Sequence, residues 1–337
     1  MPSSRFNLAT IFVHTNLWFW IAFNAGVLCV LAIDLFGFQR QAHAPSTKEA
    51  AIWTAVWVAL SLGLNGLIWY WEGHAKALEF LTGYLVEYSL SVDNIFVFVL
   101  IFSYFAVPAA YQYRALFWGI LSALILRGMM IGVGVAFVET FHWALYLFGA
   151  FLLFTGIKMS FSRKRAVEIA RNPLIRLVCK LLPVSDTYYG ARFTVRRDGR
   201  RLLTRLALVL IMIEVTDVLF AVDSIPAIFG ITRDSFIVYT SNVCAILGLR
   251  SLYFLLTGVV HKFVYLKPAL AIILSFIGAK MLSADIYHIP TAASLGVVGV
   301  VLSAAIGLSL LVKRQRPATA EPTMEADHHS PPVTNLR

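Results

Sequence analysis

Apolar residues in this chain come in long unbroken runs, not in the alternation of a half-buried strand or the spaced stripe of a surface helix. The runs lie near 16–38, 51–71, 78–105, 114–138, 142–160, 203–229, 236–258, 265–282 and 291–312. Each approaches the roughly 20 apolar residues that an α-helix needs to cross a bilayer. Each is also too long for a membrane barrel strand of about 10 residues. Within lipid every backbone N–H and C=O needs an internal partner, and a helix supplies one. The pattern predicts an all-α polytopic membrane protein of about nine transmembrane helices.

Composition agrees. Of 337 residues, 59% are hydrophobic and 14% charged, and the mean hydropathy is +0.76. A soluble domain is nearer 45–50% apolar. The net charge of +10 would point to nucleic acid in a soluble protein. Here the basic residues sit between the runs, which points to topology and to no nucleic-acid partner. The segment 161–205 holds a dense series, including Arg163, Lys164, Arg165, Arg192, Arg196, Arg197, Arg200 and Arg201. That side is expected to be cytoplasmic. Counting outward puts Arg40, Lys48, Arg114, Lys262, Lys267 and Lys313 on the same side. The N-terminus is then outside and the C-terminus inside. The first run is longer than a signal-peptide core and lacks an A-x-A site, so it reads as a retained helix. Within 161–202 the order Phe193-Thr194-Val195, Asp198-Gly199, Leu202-Leu203 predicts a small hairpin. The tail 317–337 reads as disordered, and its His328-His329 pair as solvated. Trp18, Trp20, Trp69, Trp71 and Trp143 fall near run ends, as interface anchors do.

Two stretches resemble each other. Glu87-Tyr-Ser-Leu-Ser-Val-Asp93-Asn94-Ile95 is answered by Asp217-Val-Leu-Phe-Ala-Val-Asp223-Ser224-Ile225. Leu126-Arg127 is then answered by Leu249-Arg250, and Gly156-Ile-Lys158-Met by Gly278-Ala-Lys280-Met. The expected organisation is two leading helices (1–77), a first repeat of three helices (78–160), a basic loop (161–202) and a second repeat (203–282). A last helix (283–316) and the tail (317–337) follow. An odd number of helices per unit turns the second unit over, giving a 3+3 inverted repeat. Transporters with such repeats hold their site at the repeat interface near the midplane.

Few ionisable residues lie well inside the runs. The acids are Asp34, Glu87, Asp93, Glu214, Asp217 and Asp223, and the bases are Arg127 and Arg250. A central charge costs about 2.5–3.5 kcal/mol on insertion scales, so such groups face a protein interior or one another. Glu87, Asp93, Asn94, Glu214, Asp217, Asp223 and Ser224 are the candidate ligands of a metal cation. Their oxygen-rich chemistry suits Mg²⁺, Ca²⁺ or Mn²⁺. Glu87 and Asp93 lie about 9 Å apart along one straight helix. Acids from both repeats are therefore expected to converge, with local unwinding near Asn94 and near Pro226. Arg127 and Arg250 are either counter-charges for the acids or staples between helices. Asp34 has no counterpart in the repeat and is a supporting charge. Gly119, Gly128, Gly132 and Gly134 read as close-packing positions. Cys29, Cys179 and Cys244 form no C-x-x-C pair, so neither a zinc site nor a disulfide framework is indicated. No catalytic set or cofactor fingerprint is present, which argues against an enzyme.

The stretches Glu87–Pro108 and Glu214–Phe229 resemble the TerC family of integral membrane proteins, nearest to its Alx-like members, over about residues 15–312. The resemblance implies a multi-pass protein of the bacterial inner membrane. It implies manganese export, and also a tie to tellurite resistance and a redox-modulating role. By motif it carries a transport site onto Glu87, Asp93, Asn94, Glu214, Asp217, Asp223 and Ser224. The leading expectation is export of a divalent cation, Mn²⁺ first, in exchange for protons, with no bound cofactor. The alternative is a membrane scaffold acting on soluble partners through the 161–205 loop. The carboxylates alone do not choose manganese; that choice comes from the resemblance.

Overall fold

A computed structural model describes residues 17–38, 46–141, 143–161, 185, 187–197, 200–257, 265–287 and 289–311. The helices are α1 (Leu17–Phe38), α2 (Thr47–Glu72), α3 (His74–Tyr104), α4 (Ala109–Thr140) and α5 (Ala144–Phe161). After a two-stranded hairpin come α6 (Arg205–Phe229), α7 (Ser235–Leu247), α8 (Leu249–Leu256), α9 (Leu266–Leu282) and α10 (Thr291–Leu311). Each apolar run is helical. Among the described residues α2, α3, α4, α5 and α10 are long and apolar enough to cross a bilayer, and α7 with α8 makes a sixth if read as one span bent by 40°. The molecule is a polytopic membrane protein. The remaining three helices fall short: in α1 the apolar helix is counted only over Leu17–Ala32. α9 has 17 residues. α6 has 25 but carries Arg205, Glu214, Asp217 and Asp223 within its length.

Local chemistry sets the helix ends. Ser46 Oγ accepts from Glu49 N at 3.2 Å and starts α2. Thr204 Oγ1 accepts from Ala207 N at 3.3 Å and starts α6. Asp234 Oδ1 accepts from Phe236 N and Ile237 N at 3.0 and 3.2 Å and starts α7. Each satisfies amides that have no partner inside the helix. A single residue joins α2 to α3: Gly73, at φ +90°, a conformation that side chains disfavour. Gly248 separates α7 from α8, and a Cβ there would stand 3.3 Å from Trp57 Cβ of α2. The hairpin pairs β1 (Thr194–Arg197) with β2 (Arg200–Leu203) antiparallel, in register from Thr194↔Leu203 to Arg197↔Arg200. The expected hairpin is there; its Asp198-Gly199 centre lies outside the described residues. Residues 162–184, His261–Lys262, Cys179 and the tail also lie outside them.

Helix pairing positions the site. α3 packs on α7 and α4 on α6; α3 also meets α6, and α4 meets α7. α5 lies along α9, α5 touches α6, and α9 touches α3. The α5–α9 approach is backbone to backbone. A Cβ on Gly278 would stand 2.6 Å from Leu153 N, and one on Gly156 would stand 2.8 Å from Ala271 O. Small residues allow this contact in an apolar solvent, where van der Waals packing drives association. On α4, Gly119 and Gly134 face α6: a Cβ at Gly134 would meet Phe229 at 2.8 Å and one at Gly119 would meet Ile213 at 3.3 Å. Gly128 faces Tyr239 of α7, whereas Gly132 faces open space, so it serves no close contact.

The expected unwinding does not occur. α3 and α6 run as continuous helices through both acidic motifs, and Pro226 sits inside α6 in its last turn. The missing proline N–H takes one i→i−4 bond, to Val222 O, out of the ladder, and only three helical residues follow it. The break falls instead at Gly248, where α2 comes close.

Candidate functional site

The acids of α3 and α6 meet at an arginine of α4. Arg127 Nε donates to Asp217 Oδ2 at 3.0 Å and Nη2 donates to Asp217 Oδ1 at 2.8 Å. Nη1 donates to Glu87 Oε1 and reaches Ser224 Oγ at 3.4 Å. Arg127 is 1% exposed, Glu87 0%, Asp217 4% and Ser224 2%. The paired bond to Asp217 is the fork geometry that makes guanidinium–carboxylate contacts strong. Beside it, Glu214 Oε1 lies 2.5 Å from Ser122 Oγ of α4. Gly119 flanks this corner, where a Cβ would stand 3.6 Å from Glu214 Oε1 in ordinary van der Waals contact.

This arrangement leaves acceptors over. Glu87 Oε2 and Glu214 Oε2 are buried with no hydrogen-bond partner among the described residues, and so are Ser91 Oγ and Asn94 Nδ2. Glu87, Ser91 and Asn94 are four and three residues apart, so they line one face of α3. An unpaired buried carboxylate oxygen is costly unless a cation or proton reaches it. Three carboxylates against one guanidinium also leave two negative charges uncompensated when all are ionised.

The other expected residues lie elsewhere. Asp93 and Asp223 are half-buried and make no hydrogen bond among the described residues. The field of Lys267 reaches Asp93, and that of Lys158 reaches Asp223. The guanidinium of Arg250 stacks 4.4 Å over the Tyr113 ring and 5.9 Å from that of Phe117. Asp34 lies in α1, and its side chain is outside the described residues. Among the described residues no three or more His, Cys, Asp or Glu side chains are grouped to hold a metal in this conformation. Ser122 and Ser91 belong to the site and were not expected. Ser91 carries a signal, lying one turn beyond Glu87 on the same face. Ser122 has none in the sequence, since its role comes from contact with another helix.

A cleft of about 580 Å³ opens where α3 begins and α6 and α9 end, walled in part by Glu79, Arg233, Lys280 and Asp285. Its acids are already engaged. Thr232 Oγ1 and Lys76 Nζ donate to Glu79 Oε2 at 2.6 and 3.2 Å, and Tyr146 Oη donates to Asp285. Glu79 is eight residues before Glu87, about 12 Å away along the helix.

The profile of the integral membrane protein TerC family matches residues 72–317, which include both acidic motifs and Arg127. The chain belongs to the TerC family. Among its TerC relatives, the "Putative membrane-bound redox modulator Alx" of Escherichia coli strain K12 is 52% identical over 288 residues, covering 83% of this chain and 90% of the relative. The "Uncharacterized membrane protein STKORF319" of Myxococcus xanthus is 48% identical over 300 residues, covering 89% and 94%. The "Thylakoid membrane protein TERC, chloroplastic" of Arabidopsis thaliana is 44% identical over 276 residues, covering 82% and 71%. No solved structure matches this TerC chain.

Proposed function

We propose that this protein carries a divalent metal cation out across the bacterial inner membrane, Mn²⁺ before others, in exchange for protons. The observation that carries the reading is the excess of carboxylates, Glu87 and Asp217 on the one guanidinium of Arg127 and Glu214 a turn before Asp217, a deficit of two positive charges when all three are ionised, with one oxygen of Glu87 and one of Glu214 left without partners. In an apolar interior that deficit matches one divalent cation or two protons. The oxygen donors favour a hard cation, and manganese in particular rests on the family resemblance.

The helix pairing supports the repeat. Exchanging α3 with α6, α4 with α7–α8, and α5 with α9 turns the α3–α7 contact into α6–α4 and the α5–α6 contact into α9–α3. It returns α5–α9, α3–α6 and α4–α7 to themselves. A two-fold relation between the units has this signature. Read this way, the protein crosses the membrane nine times in a 3+3 inverted repeat, with the N-terminus outside and the C-terminus in the cytoplasm. α6 and α9 then count as spans, and the acids of α6 belong to the transport path. Asp93 and Asp223, each six residues beyond an acid of the Arg127 cluster along its own helix, are further ligands that the ion meets in sequence.

The test is Mn²⁺ uptake into inside-out vesicles bearing an imposed proton gradient. Parent protein should show uptake that collapses with the gradient, and Asp93→Asn/Asp223→Asn should abolish it. Gradient-independent Mn²⁺ movement, or a double variant as active as the parent, overturns the reading.

A further inference from the structure

We propose that Arg127 is a tethered stand-in for the transported cation, competing with it for the same carboxylate oxygens. This rests on the transport reading above but makes a binding claim of its own. The guanidinium takes both oxygens of Asp217 and one of Glu87, at the place where the two acidic motifs face each other. Among the described residues these acids form ion pairs with no other base. A hard divalent cation needs about six oxygen ligands. It cannot gather them while three of the best oxygens are held by N–H groups, and among the described residues no metal-holding group of acids is assembled. Arginine and ion therefore exclude one another. When the ion leaves, the arginine closes on the acids and lowers the charge that an empty carrier must hold in lipid. When an ion arrives, it must displace the arginine, and Glu87 Oε2, buried and without a partner, is the one oxygen of the pair that the arginine does not hold. Ser224 Oγ, 3.4 Å from Nη1, already offers the displaced guanidinium an acceptor.

A simple helix staple would make the opposite prediction for its removal, so the two roles separate. The experiment is thermal unfolding of the full chain in detergent, with MnCl₂, CaCl₂ or MgCl₂ against choline chloride at equal ionic strength. Parent, Arg127→Met, Arg127→Lys and Arg127→Met/Asp217→Asn are compared. Arg127→Met should melt lower than the parent without divalent ions. Divalent ions should then raise its melting temperature more than they raise the parent's, with at least tenfold tighter apparent binding. Arg127→Lys should respond as weakly as the parent. Arg127→Met/Asp217→Asn restores the parent's charge balance and should lose the divalent response. If Arg127→Met folds only with a divalent ion and unfolds on chelation, the proposal stands. It falls if Arg127→Met responds to divalent ions no more than the parent does, or if it fails to fold with and without them. Vesicle flux keeps the two readings apart. Tighter ion binding by Arg127→Met with no flux from the parent would sink export and leave the competition. Proton-driven flux from the parent with no gain in binding would do the reverse.

Discussion

Arg127 and Asp217 meet across the α4–α6 interface through two parallel N–H···O bonds of 2.8 and 3.0 Å, both residues less than 5% exposed. Glu87 shares the same guanidinium through one bond only. The two acids should therefore differ in structural weight. Asp217→Asn is expected to destabilise by ~3–5 kcal/mol, the range for breaking a buried pair. Glu87→Gln, which leaves the forked bond intact, should cost about 1–3 kcal/mol. Melting of the two variants in one detergent checks the order; Glu87→Gln melting lower than Asp217→Asn would contradict it.

Ser122 is the hydroxyl at Glu214 Oε1. Ser122→Ala removes it and leaves both oxygens of a buried carboxylate without a donor. The expected cost is about 1–3 kcal/mol, with Mn²⁺ flux reduced and its pH dependence displaced. Ser122→Thr keeps the hydroxyl and should retain most of both. Flux from Ser122→Ala equal to the parent's across pH would show that the contact is incidental.

The α5–α9 seam predicts a contrast between glycines. Gly278→Ala forces a Cβ to 2.6 Å from a backbone nitrogen that cannot swing away. It should cost about 1–3 kcal/mol, as overpacking does. Gly132→Ala, with nothing within 4 Å, should stabilise α4 by up to ~1 kcal/mol through helix propensity. Both are read as melting shifts of opposite sign.

Tyr188 ties the hairpin segment to the helix bundle. Its Oη donates to Phe105 O at 2.7 Å. Burial pushes its phenol up to about 12, partly opposed by nearby Arg205. A raised value in the folded state means the neutral form is favoured. Its contribution is full below the ordinary tyrosine range near 10 and disappears as pH rises through about 12. Absorbance at 295 nm should show one tyrosine, absent in Tyr188→Phe, ionising near that upper value. Ionisation near 10 would show that the docking bond is not formed in solution.

Much of this architecture could be read from the chain because lipid leaves few choices. Every long apolar run is helical, the one at 236–258 as two helices, and the Asp-Gly spacing marks a hairpin between Phe193 and Leu203. Glu87 and Asp217 stand out because charged groups are expensive in such runs, and Ser224 through the repeated motif, and the three meet at Arg127. What could not be read depends on neighbours. The break at Gly248 lies against Trp57 of another helix, and α6 keeps its helix through Pro226, three residues from its end. Arg127 and Arg250 look alike as motif partners. One reaches across to two acids, while the other, at the start of α8, finds the rings of Tyr113 and Phe117. Side-chain reach and helix rotation decide such differences, and neither is written in a spacing.

The seam at Gly149, Gly156 and Gly278 has a mechanical meaning. Elsewhere Phe, Ile and Leu side chains interlock like gear teeth and resist sliding. Here main chain rides against main chain, with only Met281, Leu282 and Ser275 side chains seated at the glycines. We expect the two halves to turn against each other on this smooth bearing, so a covalent bridge across it at Leu153 and Ala279 should freeze turnover while leaving ion capture intact.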